Sequence, residues 1–230
     1  ETILDYSILN EASVRSAFFV DAHVENAEWE NVNFQDSNFT HVYIYETNMK
    51  NSYFDSTVLT CAYILGELEY AKFQNSLNYD WYCGGGWGVY PLYINAYDQG
   101  TGASFDNVDY IDSVLVGFDN AYFRNAKCID CSFEYGFTNT LFTDANLTGS
   151  EFYGYPLDLT HTDFTSADLT NVSFWDASWN GDKEVRLIFT IFEDATVDGI
   201  NFTEYSDFYW HQVKWTDGER YDYNPTTTAD

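Results

Sequence analysis

From Leu4 to Ile64 every fifth residue is large and apolar: Leu4, Leu9, Val14, Phe19, Val24, Trp29, Phe34, Phe39, Ile44, Met49, Phe54, Leu59 and Ile64. Two positions before most of them sits something small, such as Ala12, Ala17, Ala22, Ala27, Ser37 and Ser52. This period fits neither a helix, at about 3.6 residues, nor an ordinary strand, at about 2. A chain with this spacing must turn a corner in each unit. One large and one small side chain then point inward, and the other three positions face water. Repetition of that kind predicts a solenoid.

Units such as Ala145-Asn146-Leu147-Thr148-Gly149 and Ala167-Asp168-Leu169-Thr170-Asn171 carry the pattern A-[DN]-[LF]-x-x. In this respect the sequence resembles the pentapeptide-repeat family over most of residues 2–204. The resemblance implies an all-β fold, a right-handed quadrilateral β-helix with four units in each coil. Taking every fourth unit then predicts the interior columns. Leu4, Val24, Ile44 and Ile64 fill one; Leu9, Trp29 and Met49 the next; Val14, Phe34 and Phe54 the third; Phe19, Phe39 and Leu59 the fourth.

Breaks in register mark the loops. After Ile64 the next clear unit is Ala71-Lys72-Phe73, one residue early. Residues 76–102 leave the pattern for an aromatic, glycine-rich stretch. The expected organisation is therefore a β-helix over 1–204 with a loop inserted at about 76–102, and an aromatic tail or cap over 205–230. A solenoid tolerates such insertions because each coil touches only its neighbours. The first unit is in phase from Thr2, which predicts a leader missing from this sequence and a first coil without a cap.

Charge restricts the function classes. The formal net charge is -28, from 37 acidic residues against 9 lysines and arginines. The basic footprint that direct nucleic-acid binding needs is missing. Solubility, weak binding of a cation such as Ca2+, or a basic partner is favoured instead, and no other cofactor is expected. No stretch reaches the roughly 18 apolar residues of a membrane span. His23, His41, His161 and His211 are scattered over outward or loop positions, and no nucleophile–base pair stands out. Gly84-Gly85-Gly86-Trp87-Gly88 lacks the Lys-Ser/Thr that completes a phosphate loop. The chain reads as a protein that is not an enzyme.

Four N-x-S/T sequons, at Asn38, Asn146, Asn171 and Asn201, fall on outward positions, where a glycan would have to sit. A repeat that favours Asn before Leu or Phe and Thr or Ser after it also creates such triplets unaided. Cys61, Cys83, Cys128 and Cys131 are the disulfide candidates, an even number compatible with an oxidising compartment. Cys61 at a coil edge and Cys83 in the central loop can staple that loop to the rod. Cys128 and Cys131 fall on inward positions and are better read as buried thiols packing as small hydrophobes.

Outward Tyr43, Tyr45, Tyr63 and Leu65 form an apolar strip, which usually marks a contact surface. Trp81, Trp87 and Tyr90 in the loop and Trp210 and Trp215 in the tail join them as candidate partner contacts. Open coil ends invite strand addition. Together these features predict a secreted structural protein that self-associates head to tail into filaments, with N-glycans on its outer faces. Two alternatives compete. The resemblance admits a cytoplasmic, acidic mimic of duplex DNA acting on DNA gyrase, as some members of the family do. The aromatic loop admits a carbohydrate-binding adhesin.

Overall fold

A computed structural model describes residues 2–78, 92–96, 100–176, 184–202 and 207–227. The chain winds as a β-solenoid, one short parallel strand per side per coil. On one side nine strands form a single parallel sheet, from His23–Glu25, Tyr43–Asn48 and Tyr63–Glu67 through to Ser173–Asp176 and Asn201–Phe202. Register is offset by one coil: Val24 pairs with Ile44, and Ile44 with Ile64. On the other sides much of the pairing is by single bridges, such as Ser13 to Asn33 and Asn33 to Tyr53.

The corners explain the period. At many corners the carbonyl of the large residue accepts a hydrogen bond from the N–H three residues on, as from Ala12 to Leu9 at 2.8 Å and from Ala22 to Phe19 at 3.0 Å. At others that N–H donates to a hydroxyl of the next coil, as Ala17 does to Ser37 Oγ at 3.0 Å. The residue two after the large one turns left-handed. Glu11, Ser16, Asp21, Asn26 and Asn31 have φ between 53° and 61°. Asn and Asp tolerate that region better than most L-residues, which accounts for their frequency there.

Inside, the large residues stack in columns. Phe34, Phe54, Phe73, Phe105, Phe123, Phe142, Phe164 and Phe192 make one ladder with adjacent ring centroids 4.7–5.2 Å apart. Trp29, Phe34 and Phe39 are fully buried, as the spacing requires. Each such burial contributes about 1.5–3 kcal/mol. Where the small inward residue is Ser or Thr, its hydroxyl stitches coils together. Ser52 Oγ donates to the Trp29 carbonyl at 2.6 Å and accepts from the Val32 N–H at 3.0 Å. Ser150 does the same with the Cys128 carbonyl and Cys131 N–H, at 2.9 and 3.0 Å. These bonds remove the penalty of burying a hydroxyl. Tyr110 is also wholly inside, its hydroxyl 2.6 Å from Ser76 Oγ.

Three departures from the expected layout have local causes. Leu68 fills the column that the slipped unit left vacant: the coil is shortened at Gly66, opposite a shift in register between Ile44 and Thr47. A Cβ at position 66 would collide with the Thr47 carbonyl, so only glycine permits the shortcut. Within the stretch expected to be all loop, Tyr93–Asn95 is a strand of the main sheet, pairing Ile94 with both Ile64 and Leu115. The tail also continues the solenoid. Asp207–His211 pairs in parallel with Glu184–Ile188, and the chain then turns back as an antiparallel pair, Val213–Lys214 with Arg220–Tyr221.

Candidate interaction surfaces

The first coil is where apolar groups meet water. Phe18 is 83% exposed, Ile8 74%, Tyr6 73% and Ile3 68%, while every other exposed large hydrophobic residue among those described is at 53% or below. Leu4, Leu9 and Val14 point inward but are only partly buried. In the second coil the N–H groups of His23, Glu28, Asn33 and Asn38 donate to the carbonyls of Thr2, Ser7, Ala12 and Ala17.

The opposite end is built differently. Trp210 and Trp215, expected to touch a partner, are buried instead and plug the core. Trp210 packs 5.3 Å from Phe202, and Trp215 packs 5.1 Å from Phe192. Burying two indoles against the last rings of the core covers far more apolar surface than leaving them in water.

On the main sheet the register stacks His23, Tyr43, Tyr63 and Tyr93, with ring centroids 5.1, 4.9 and 4.9 Å apart and planes within 13°. Their flat faces are taken up by one another, so what meets solvent is ring edges and hydroxyls. Burial, followed by neighbouring phenols, pushes the Tyr43 and Tyr63 hydroxyls above the ordinary value. Tyr45 is partly buried, whereas Leu65, counted as an outward contact, is buried at 5% exposure. Trp81, Trp87, Tyr90 and Cys83 lie outside the described residues.

Beside this face lies an acidic groove of about 330 Å³, lined by Asn26, Glu28, Glu46, Thr47, Asn48, Gly66 and Glu67. It exists because the bulge at Thr47 and the glycine opposite leave a step in the wall. At its rim Lys50 Nζ lies 2.9 Å from Glu67, a hydrogen bond that raises the lysine above its usual range.

The sequons divide into two kinds. Asn38 Oδ1 accepts both the N–H and the hydroxyl of Thr40, at 2.9 and 2.6 Å, and Asn146 does likewise with Thr148, at 3.1 and 2.8 Å. Asp163 with Thr165 and Asp168 with Thr170 make the same clamp without any sequon. The triplet there is a product of corner bonding. Asn171, in the left-handed region, and Asn201, on a strand, are exposed. Cys61 is disulfide-bonded. Cys128 and Cys131 are free and buried, so they are removed from the disulfide candidates; their inward positions put both thiols in the core.

Three histidines sit against carboxylates: His23 Nδ1 is 2.9 Å from Asp5, His41 Nδ1 3.3 Å from Asp21, and His211 Nδ1 3.3 Å from Asp222. His161 instead stacks on Phe189, 5.1 Å between ring centroids. Only at His23 does a third ligand-bearing side chain converge among the described residues: Asp5, His23 and Glu25 bring their donor atoms within 4.8 Å of one another. Scattered along the sequence, His23 meets Asp5 only through the winding of the coil, and the offset of about one coil between them is the signal the sequence carries.

Residues 17–55 match the family model for pentapeptide repeats, in eight copies. No curated protein matches the chain at a significant level. Among solved structures, the chain is similar to HetL, a pentapeptide repeat protein involved in heterocyst differentiation regulation from the cyanobacterium Nostoc sp. strain PCC 7120. The identity is 13%, covering 94% of this chain and 92% of that one, with a TM-score of 0.36. It is also similar to QnrB1, a plasmid-mediated fluoroquinolone resistance protein, at 13% identity, 88% and 83% coverage, and a TM-score of 0.40.

Proposed function

We propose that this chain, a β-solenoid whose residues 17–55 match the family model for pentapeptide repeats, is a non-enzymatic structural module that self-associates through the aromatic face of its main sheet. The observation that carries this reading is the ladder of His23, Tyr43, Tyr63 and Tyr93, which sets a row of ring edges and hydroxyls in register along one outer side. A rigid aromatic row of this kind suits contact with the same row of a second copy.

The setting that fits is extracellular. The Cys61 disulfide supports an oxidising compartment. Of the four sequons, Asn171 and Asn201 are the ones placed to carry glycans, since Asn38 and Asn146 are engaged in corner clamps.

Light scattering coupled to size exclusion, over a range of protein concentrations, tests the assembly. An assembly that Tyr43→Asp together with Tyr63→Asp converts to monomer is the expected result. A monomer throughout, or an assembly indifferent to those substitutions, would overturn it.

A further inference from the structure

We propose that Asp5, His23 and Glu25 form a binding site for a divalent transition-metal ion of the zinc class. The solenoid itself creates the site. Ile3 bridges to His23 in parallel, so the strand carrying Asp5 lies one coil beneath the strand carrying His23 and Glu25. Asp5 and Glu25 then follow the inward Leu4 and Val24 on the same outer face, and His23 precedes Val24. The three donor atoms lie within 4.8 Å of one another, and His23 Nδ1 is 2.9 Å from Asp5 Oδ1. Ligands held about 2.0–2.2 Å from a common tetrahedral ion are separated by roughly 3.4 Å, so the His23–Asp5 pair, now hydrogen-bonded, needs to part by only about half an ångström to admit the ion.

The donor set selects the class of ion. Ca2+ and Mg2+ take oxygen ligands almost exclusively, whereas an imidazole with two carboxylates suits zinc and its first-row neighbours. Three protein ligands leave the remaining positions to water. The imidazole plane is fixed by stacking on Tyr43, 5.1 Å between centroids and 13° between planes. Glu25 Oε1 accepts from Asn26 Nδ2 at 3.2 Å, and no lysine or arginine ion pair engages Asp5 or Glu25 among the described residues, so their negative charge is unneutralised by a basic side chain. Any proton shared between Nδ1 and Asp5 passes to solvent as the ion enters, and the remaining imidazole proton resides on Nε2.

The molecule contains its own controls. His41 with Asp21 and His211 with Asp222 repeat the imidazole–carboxylate pair without a third ligand among the described residues. A site defined by three ligands binds at His23 alone. A surface that merely attracts cations does not distinguish the three histidines.

The test is calorimetric titration of chelator-treated full chain with Zn2+, for the unsubstituted protein and for His23→Ala, Asp5→Asn, Glu25→Gln and His41→Ala. The expected result is one Zn2+ per chain, weakened more than about tenfold by each of the first three substitutions. His41→Ala leaves it unchanged, and excess Ca2+ does not compete. Circular dichroism confirms that each variant is folded. Asp5→Asn and Glu25→Gln keep side-chain shape should His23→Ala disturb the first coils. Zinc affinity that survives loss of His23 or of either carboxylate, a loss equally large in His41→Ala, or an absence of stoichiometric zinc binding would overturn the assignment.

Discussion

Phe105→Ala tests the interior ladder at its middle. The ring is fully buried, stacked on Phe73 at 4.9 Å and on Phe123 at 4.7 Å, with planes within 6°, and meets Phe118 edge-on at 4.9 Å. Truncating a buried Phe costs about 3–5 kcal/mol, and each aromatic pair adds about 0.5–1.5 kcal/mol beyond area. Backbone bonds run above and below the site, from Phe73 N to Ser104 O and from Phe105 N to Tyr122 O, so the coils cannot close over the cavity. The upper part of the range, about 4–5 kcal/mol, is therefore expected. Phe105→Leu, which keeps most of the volume, should cost less than about 2 kcal/mol. Chemical denaturation measures both, and amide exchange around Phe73 and Phe123 shows whether the loss is local, since repeat stability is a sum over neighbouring coils. Outward Tyr122→Ala is the reference. A cost for Phe105→Ala below about 1.5 kcal/mol, or equal to that of Tyr122→Ala, would refute the stacking argument.

Other perturbations probe corners, charge and thiols. Asn125 is exposed with φ 54°, so Asn125→Val should cost about 1–2 kcal/mol in thermal unfolding while Asn125→Gly stays near neutral. Burial raises the carboxyls of Asp55, Asp112 and Glu134 above their ordinary 3.8, 3.8 and 4.5. Their native forms therefore hold protons more tightly than the unfolded chain. Stability should rise as pH falls from about 7 into the window just above those ordinary values, with relief of the net negative charge acting in the same direction. Melting curves for Glu134→Gln should show a smaller gain over that window. Burial also pushes the Cys128 thiol up, and Cys131 is equally enclosed. A thiol reagent should label neither in the native protein and both after unfolding, as mass spectrometry would show.

How much was legible can be seen residue by residue. Trp29, Phe34 and Phe39 were placed inside by spacing alone, because a five-residue unit offers only two inward positions. Leu68 was missed because one deleted residue breaks the count, and the compensating bulge at Thr47 lies in another coil. Tyr93–Asn95 was hidden among aromatic residues that carry no period. Trp210 and Trp215 looked like contact residues because a tail of large rings reads the same whether it covers its own core or another molecule. The sequons at Asn38 and Asn146 needed the Thr40 and Thr148 hydrogen bonds to show why that triplet recurs.

The solenoid, its inward columns and its need for a corner in every unit were determined by the sequence, since the local period sets how often the chain must turn. Which residues meet across coils was decided only by tertiary structure. Asp5 comes beside His23 and Glu25, the tyrosine rings consume one another's faces, and Trp210 and Trp215 of the tail pack onto the last rings of the core. The physical reason is that neighbours in this fold lie a whole coil apart along the chain. Each insertion or deletion shifts that interval, and only the folded backbone records the sum.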